Sequence, residues 1–194
     1  MFHQLKKFCT SVVPFEKQEL DLIDKYFTSK TLKKRELLIE EGKVCQFLAF
    51  ISKGSIRHYH ILDGNEKTCD ISFENQWVTD FKSFTNRVSG TMNLQATEDT
   101  VVFCISRDHL GLLYQESQAF ETFGRIMTEQ VAHRATEIAM SLSSNKPEQR
   151  YLDLIENRPD MFQRIPQKYI ANFIGISPES LSRIQKRVHQ KQKS

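Results

Sequence analysis

IGISPESLSRIQKRV, residues 174–188, is the stretch on which the reading of this chain turns. Gly175 stands between isoleucines, where a tight turn needs a positive φ that glycine adopts without steric cost. Ser177 suits the cap of a following helix and Pro178 its first turn. Upstream, QKYIANFIG (167–175) reads as a short helix. Ala171 is small enough to let two helices cross closely, and Ala171, Gly175 and Leu181 together give the spacing of a helix-turn-helix. Ile170, Ile174, Ile176, Leu181 and Ile184 supply the apolar contact between the two helices. Glu179, Ser180, Ser182, Arg183, Lys186 and Arg187 are left on the open face of the second helix, at 178–188. The alternative is a helical hairpin whose basic face is only solvated.

Charge weighs on that choice. The whole chain has 27 Lys/Arg against 24 Asp/Glu, a net +3. Residues 164–194 hold seven of the cations (Arg164, Lys168, Arg183, Lys186, Arg187, Lys191, Lys193) and one acid, Glu179, which leaves the rest of the chain at −3. A basic end on an acidic body points to a polyanionic partner. If that partner is double-stranded DNA, the start of the second helix enters the major groove. Glu179, Ser180, Ser182 and Arg183 are then the base readers. Arg183 suits a bidentate pair with guanine, and Glu179 suits a cytosine amino group. Lys168, Ser177, Lys186 and Arg187 are the expected phosphate contacts.

Ahead of this end lie a β-rich region and a long helix. Residues 15–27 read as a short amphipathic helix with Leu20, Ile23 and Phe27 on one side. From about residue 31 to 106, short apolar runs (LLIEEG, FLAFISKG, SIRHYHILDG, CDISF, WVTDF, MNLQA, VVFCIS) alternate with turn signals. Such spacing predicts an antiparallel roll or barrel. Phe123, Met127, Val131, Ala135, Ile138 and Leu142 then form one stripe of a helix at about 116–143. The stripe predicts packing against a second copy of the chain; packing against the roll is the alternative. Pro147 disfavours helix just before it, so the boundary is set there. Residues 1–143 are the roll with its long helix, and 147–194 the helix-turn-helix domain. In the latter, PEQRYLDLIENRP reads as a helix with Tyr151, Leu152 and Ile155 inward, and MFQRIP as an extended piece. The class is α+β. No apolar run spans a membrane, no secretory signal is evident, and Cys9, Cys45, Cys69 and Cys104 are scattered without a CxxC pair. A cytoplasmic protein with reduced thiols and no cofactor is expected.

The whole arrangement resembles the CRP/FNR-type transcription regulators, in which a cyclic-nucleotide-binding-like jelly roll and a long dimer helix precede a helix-turn-helix. PESLSR (178–183) resembles the recognition-helix motif in which a Glu and an Arg four residues later read bases, matched by Glu179 and Arg183. Ser182 before Arg183 is closer to the oxygen-regulator branch than to the cyclic AMP receptor branch. EEG (40–42) and ISKGSIR (51–57) resemble the roll's turn glycines. The resemblance implies a homodimer on a palindromic operator, with RNA polymerase as a further candidate partner. It also locates an effector pocket, whose Gly-Glu pair and phosphate-binding Arg are replaced here by Thr79-Asp80 and Gly90. Thr91 keeps the hydroxyl, and Arg87 is the nearest cation. A buried phosphate without a counter-charge is costly, so cyclic AMP is not the expected ligand. Asp80, Thr91 and Arg87 remain the candidates for an unknown small-molecule effector, or for none. The family's oxygen-sensing cysteine cluster is missing. The strand hairpin that usually follows the recognition helix has no counterpart in RIQKRVHQKQKS.

Two other readings compete. His58 and His60 share a strand face with Glu66 across a turn, the raw material of a cupin-like metal enzyme. No further metal motif supports it, and no metal is expected. Nucleophile-elbow, phosphate-loop and HExxH signatures do not occur, so an enzyme is not expected. The other reading is a small-molecule-binding or protein-interaction roll without specific DNA binding.

Overall fold

A computed structural model describes residues 1–191 of the 194; of the basic end, Lys193 and the side chain of Lys191 lie outside the described part. The chain divides into two compact units, Met1–Gln130 and Val131–Ser194.

The first unit opens with helices α1 (His3–Val12) and α2 (Lys17–Tyr26). Strands β1 (Phe27–Leu32), β2 (Leu37–Ile39), β3 (Phe47–Lys53), β4 (Ile56–Leu62), β5 (Asn65–Ser72) and β6 (Trp77–Val78) follow. Then come α3 (Phe81–Asn86), β7 (Asn93–Ala96), β8 (Thr100–Ser106), α4 (Arg107–Glu116) and α5 (Gln118–Ser144), which continues into the second unit. The strands make two antiparallel sheets, β1-β8-β3-β6 and β2-β7-β4-β5. Successive side chains of a strand face opposite ways, and both faces of the first sheet are used. Ile51 and Val102 join Leu32, Ile39, Ile56 and Leu94 in a core between the sheets. Phe50 and Phe103 face outward, onto a second core with Leu5, Ile23, Leu113 and Phe120 of the helices. This is the expected roll, and all seven apolar runs fall on β2 to β8.

Some elements differ from expectation. Phe27 is not the end of a helix: it opens β1, which pairs with β8 from Phe27↔Ile105 onward. Helix α1 was not anticipated; its inward residues, Leu5 and Cys9, amount to a single i, i+4 pair. The stripe on α5 also splits. Phe123 and Met127, expected at a subunit contact, are buried in the helix-facing core of the roll. Large aromatic surface from Phe8, Phe15 and Trp77 is already there to meet Phe123. Beyond Met127 the stripe is less covered: Ala135 is exposed, and Leu142 is 44% exposed.

The second unit holds the rest of α5 and four helices: α6 (Pro147–Asn157), α7 (Pro159–Arg164), α8 (Gln167–Phe173) and α9 (Pro178–Lys191). Prolines at the first turns of α6 and α7 lose no intrahelical bond there. MFQRIP is therefore helical up to Arg164, not extended, with Met161 wholly buried; only Ile165 is extended. Helix α6 turns Tyr151 and Leu154 inward, and Tyr151 meets Phe162 edge-on at 5.5 Å. Ile155, expected inside, is instead exposed, because the buried pair runs i, i+3 from Tyr151. Among the described residues no helix is long and apolar enough to cross a membrane.

Candidate functional site

Helix α8 ends in a closed turn. Ile176 N–H donates to Ala171 O at 2.9 Å and Gly175 N–H to Asn172 O at 3.1 Å. Gly175 has φ +76°. This is a Schellman arrangement, which satisfies carbonyls that a helix end leaves without donors. Ala171 is fully buried at the crossing, as are Ile170 and Leu181; Ile174, Ile184 and Val188 are nearly so. Ile176 is half-buried. Helix α9 is capped at its start: Ser180 N–H donates to Ser177 Oγ at 3.3 Å, and Leu181 N–H to Ser177 O at 3.0 Å.

The open face of α9 is organised before any ligand arrives. Ser177 Oγ donates to Ser180 Oγ at 3.2 Å, and Arg183 Nη2 donates to the same Ser180 oxygen at 3.1 Å. Glu179 and Arg183, one turn apart, are both exposed. The Ser177 hydroxyl, the backbone and the Arg183 charge hold the Glu179 carboxyl below its usual range, so it is an acceptor at neutral pH. Ser177 and Ser180 are therefore committed to capping and to orienting Arg183. Ser182 is half-buried beside Leu181. Of the expected phosphate contacts, Lys186 is exposed, and Lys168 is exposed with its ammonium 4.8 Å from the Tyr169 ring centroid. Arg187 is ion-paired with Glu148 of α6. That partner was not foreseen, since 39 positions of sequence separate the two.

Where the sequence suggests an effector pocket, the polar groups bond to one another. Asp80 is 2% exposed. Its Oδ1 accepts from Ser83 N–H and its Oδ2 from Thr91 N–H, each at 3.0 Å. The first bond caps α3, and the second ties down the loop before β7. Ser83 Oγ accepts from Cys45 N–H at 2.8 Å and donates to Val88 O at 2.6 Å. Gly90 exchanges backbone bonds with this shell: its N–H donates to Lys43 O, and its O accepts from Gly42 N–H, both at 2.9 Å. A Cβ on residue 90 would stand 2.9 Å from Asp80 Oδ2 and 3.0 Å from Lys43 O. No side chain fits there while Asp80 keeps its place. Arg87 does not join Asp80 and Thr91. It ends α3 at φ +57°, is exposed, and lies 3.7 Å from Asp108. The three candidates thus do not converge: Asp80 is a structural acceptor, Thr91 contributes its backbone, and Arg87 faces solvent.

The histidine constellation separates as well. His58 Nε2 lies 3.1 Å from Ser72 Oγ, His60 Nδ1 lies 3.7 Å from Cys69 Sγ, and Glu66 pairs with buried Arg57 at 2.8 Å. The described residues contain no group of three or more His, Cys, Asp or Glu suited to a metal, so the ligand set of a cupin-like centre is not assembled among them. Burial pushes the Cys9 thiol up to about 12 and the Cys104 thiol up to about 11, which makes both poor nucleophiles.

Known proteins share this architecture. Residues 29–117 match the cyclic nucleotide-binding domain family. FixK2 from Bradyrhizobium japonicum superimposes with a TM-score of 0.70 at 17% identity, over 86% of each chain. The c-di-GMP-responsive global regulator CLP of Xanthomonas campestris gives 0.70 at 17% identity, over 91% of this chain and 93% of that one. A putative transcriptional regulator of the CRP/FNR family from Eubacterium rectale gives 0.69 at 15% identity, over 91% and 85%. No curated protein matches. The chain shares its fold with these three structures. Within that likeness, the matched stretch carries the internally bonded Asp80 carboxylate described above.

Proposed function

We propose that this chain is a homodimeric, sequence-specific DNA-binding transcription regulator that reads a palindromic operator with α9. The observation that carries the reading is the preset face of α9. Glu179 and Arg183 stand exposed one turn apart, with Arg183 oriented through Ser180 and Ser177, on a helix anchored by Leu181, Ile184 and Val188. An arginine fork and a carboxylate in that relation suit a guanine and a cytosine amino group. Lys168 and Lys186 are open to phosphates. The partly uncovered stretch of α5, with Ile138 half-buried and Met140 62% exposed, supports pairing with a second copy. RNA polymerase is a further candidate partner, and the cytoplasm is where both targets lie.

The regulator works without cyclic AMP. A cyclic phosphate entering the roll would meet the Asp80 carboxylate, and Gly90 brings no cation to it. Like charges brought together in a closed site oppose binding. The roll is then a preset scaffold or takes a different, less anionic small molecule.

The test is selection of duplexes from a random library by purified, ligand-free protein. One inverted repeat should be enriched, with half-sites about 34 Å apart, one helical turn. Binding that is steep in salt but enriches no sequence would refute the reading.

A further inference from the structure

We infer that Arg150 is a positioning residue that locks the angle between the recognition helix and the end of α5, and thereby sets the half-site spacing the protein accepts. The inference rests on the reading of α9 as the DNA reader and α5 as the element that pairs two copies.

Arg150 sits on α6 and touches neither the open face of α9 nor any residue assigned to DNA. Its guanidinium binds three backbone carbonyls from three separate pieces of chain. Nε–H donates to Ile174 O at 2.9 Å, and Nη1 donates to Asn145 O at 2.6 Å and to Leu142 O at 3.3 Å. Leu142 lies in the last turn of α5, where carbonyls have no intrahelical donor. Asn145 is in the break between α5 and α6. Ile174 caps α8, one residue before the glycine of the turn. A second observation puts the same groups in contact: a Cβ on Gly175 would lie 3.6 Å from Arg150 Nη2 and 3.8 Å from Leu142 Cδ2. The turn that launches α9 is thus seated on Arg150 and on the end of α5.

The chemistry suits a lock. A guanidinium is planar, always charged, and presents its donors in fixed directions. Three carbonyls bonded to one rigid plane cannot rotate independently. Ile174 is four residues ahead of Pro178, where α9 begins, so fixing its carbonyl relative to Leu142 fixes the launch of α9 relative to α5. In a dimer paired through α5, that angle sets how far apart two recognition helices stand. A lysine there keeps the charge but lacks the fork.

Two measurements on the full-length protein test this. In the first, spin labels are placed at the exposed positions Thr136 (α5) and His189 (α9) in a Cys69→Ser background, with excess unlabelled protein so that each chain is measured alone. Arg150→Met should broaden the distance distribution about twofold or more, and Arg150→Lys should fall between it and the parent. An unchanged width in Arg150→Met overturns the inference, and this result needs no DNA, so it fails separately from the DNA reading. In the second, affinity is compared on the selected repeat and on repeats with one base pair added or removed between half-sites. The parent should lose about tenfold or more per changed base pair, or about 1.4 kcal/mol. Arg150→Met should lose less than about threefold, while keeping its base choice within each half-site. Equal loss on every spacing, with the parent's spacing ratio retained, would mean that Arg150 only stabilises the unit and would overturn the proposal. Should Arg150→Met fail to fold by circular dichroism, Arg150→Lys takes its place in both measurements: a broader distance distribution and a relaxed spacing ratio support the lock, and parental values of both overturn it.

Discussion

Replacing Asp80 by alanine separates a structural carboxylate from a ligand-binding one. The substitution removes the cap of α3, a loss of about 1 kcal/mol. It also leaves Thr91 N–H without its acceptor, a further loss of about 1–3 kcal/mol for a bond to a carboxylate in a closed shell. Relief from burying the carboxylate offsets part of this, so the net loss is about 2–3 kcal/mol. Trp77, the only tryptophan, packs on Phe27, Phe50 and Phe123 and lies three residues before Asp80. Its fluorescence therefore reports the roll and not the second unit. In urea, a slope of about 2 kcal/mol/M gives a midpoint lower by about 1–1.5 M. Asp80→Asn keeps one carbonyl acceptor but turns an amide donor toward the other N–H, and should fall between. A midpoint within about 0.25 M of the parent in Asp80→Ala, or tight cyclic AMP binding by the parent, would refute the account of a filled cradle.

Gly175→Ala should destabilise the second unit by about 1–2 kcal/mol, followed by circular dichroism; its Cβ meets only ordinary contacts, so the loss comes from φ +76°. Gly175→Asn should lose less, and an alanine variant as stable as the parent would contradict the turn. Lys186→Ala should weaken binding on all sequences alike and lower the salt slope by about one; a loss confined to one operator sequence would reassign it to base reading. For Cys9, raised to about 12, and Cys104, raised to about 11, the thiolate fraction at pH 8 is about one in ten thousand and one in a thousand. Both should resist iodoacetamide in the folded protein and react faster as pH rises; labelling as fast as in urea would show that neither is buried.

The roll was legible because its strands announce themselves by period and by turns. Seven apolar runs between Leu37 and Ser106 each became a strand. The turn between α8 and α9 was legible for a similar reason: Gly175, Ser177 and Pro178 each have one conformational use, and each is put to it. What stayed hidden depended on contacts between distant residues. Nothing local tells that Phe123 and Met127 are buried against the roll while Leu142 stays 44% exposed. The same holds for the site. Glu179 and Arg183 follow from a motif. The pairing of Arg187 with Glu148, the three carbonyls on Arg150 and the internal bonds of Asp80 each join segments that only the fold brings together. Gly90 showed that a cation was missing, but not that the Asp80 carboxylate is bonded internally beside it.

The most direct test of the central claim is the affinity of Arg183→Ala for the duplex that the parent selects, beside duplexes with each base pair of the half-site changed in turn. The account predicts a loss of about 1–3 kcal/mol on the selected site and relaxed choice at one base pair, with discrimination elsewhere unchanged. Parental affinity with unaltered sequence choice would contradict the claim that α9 reads DNA through Arg183.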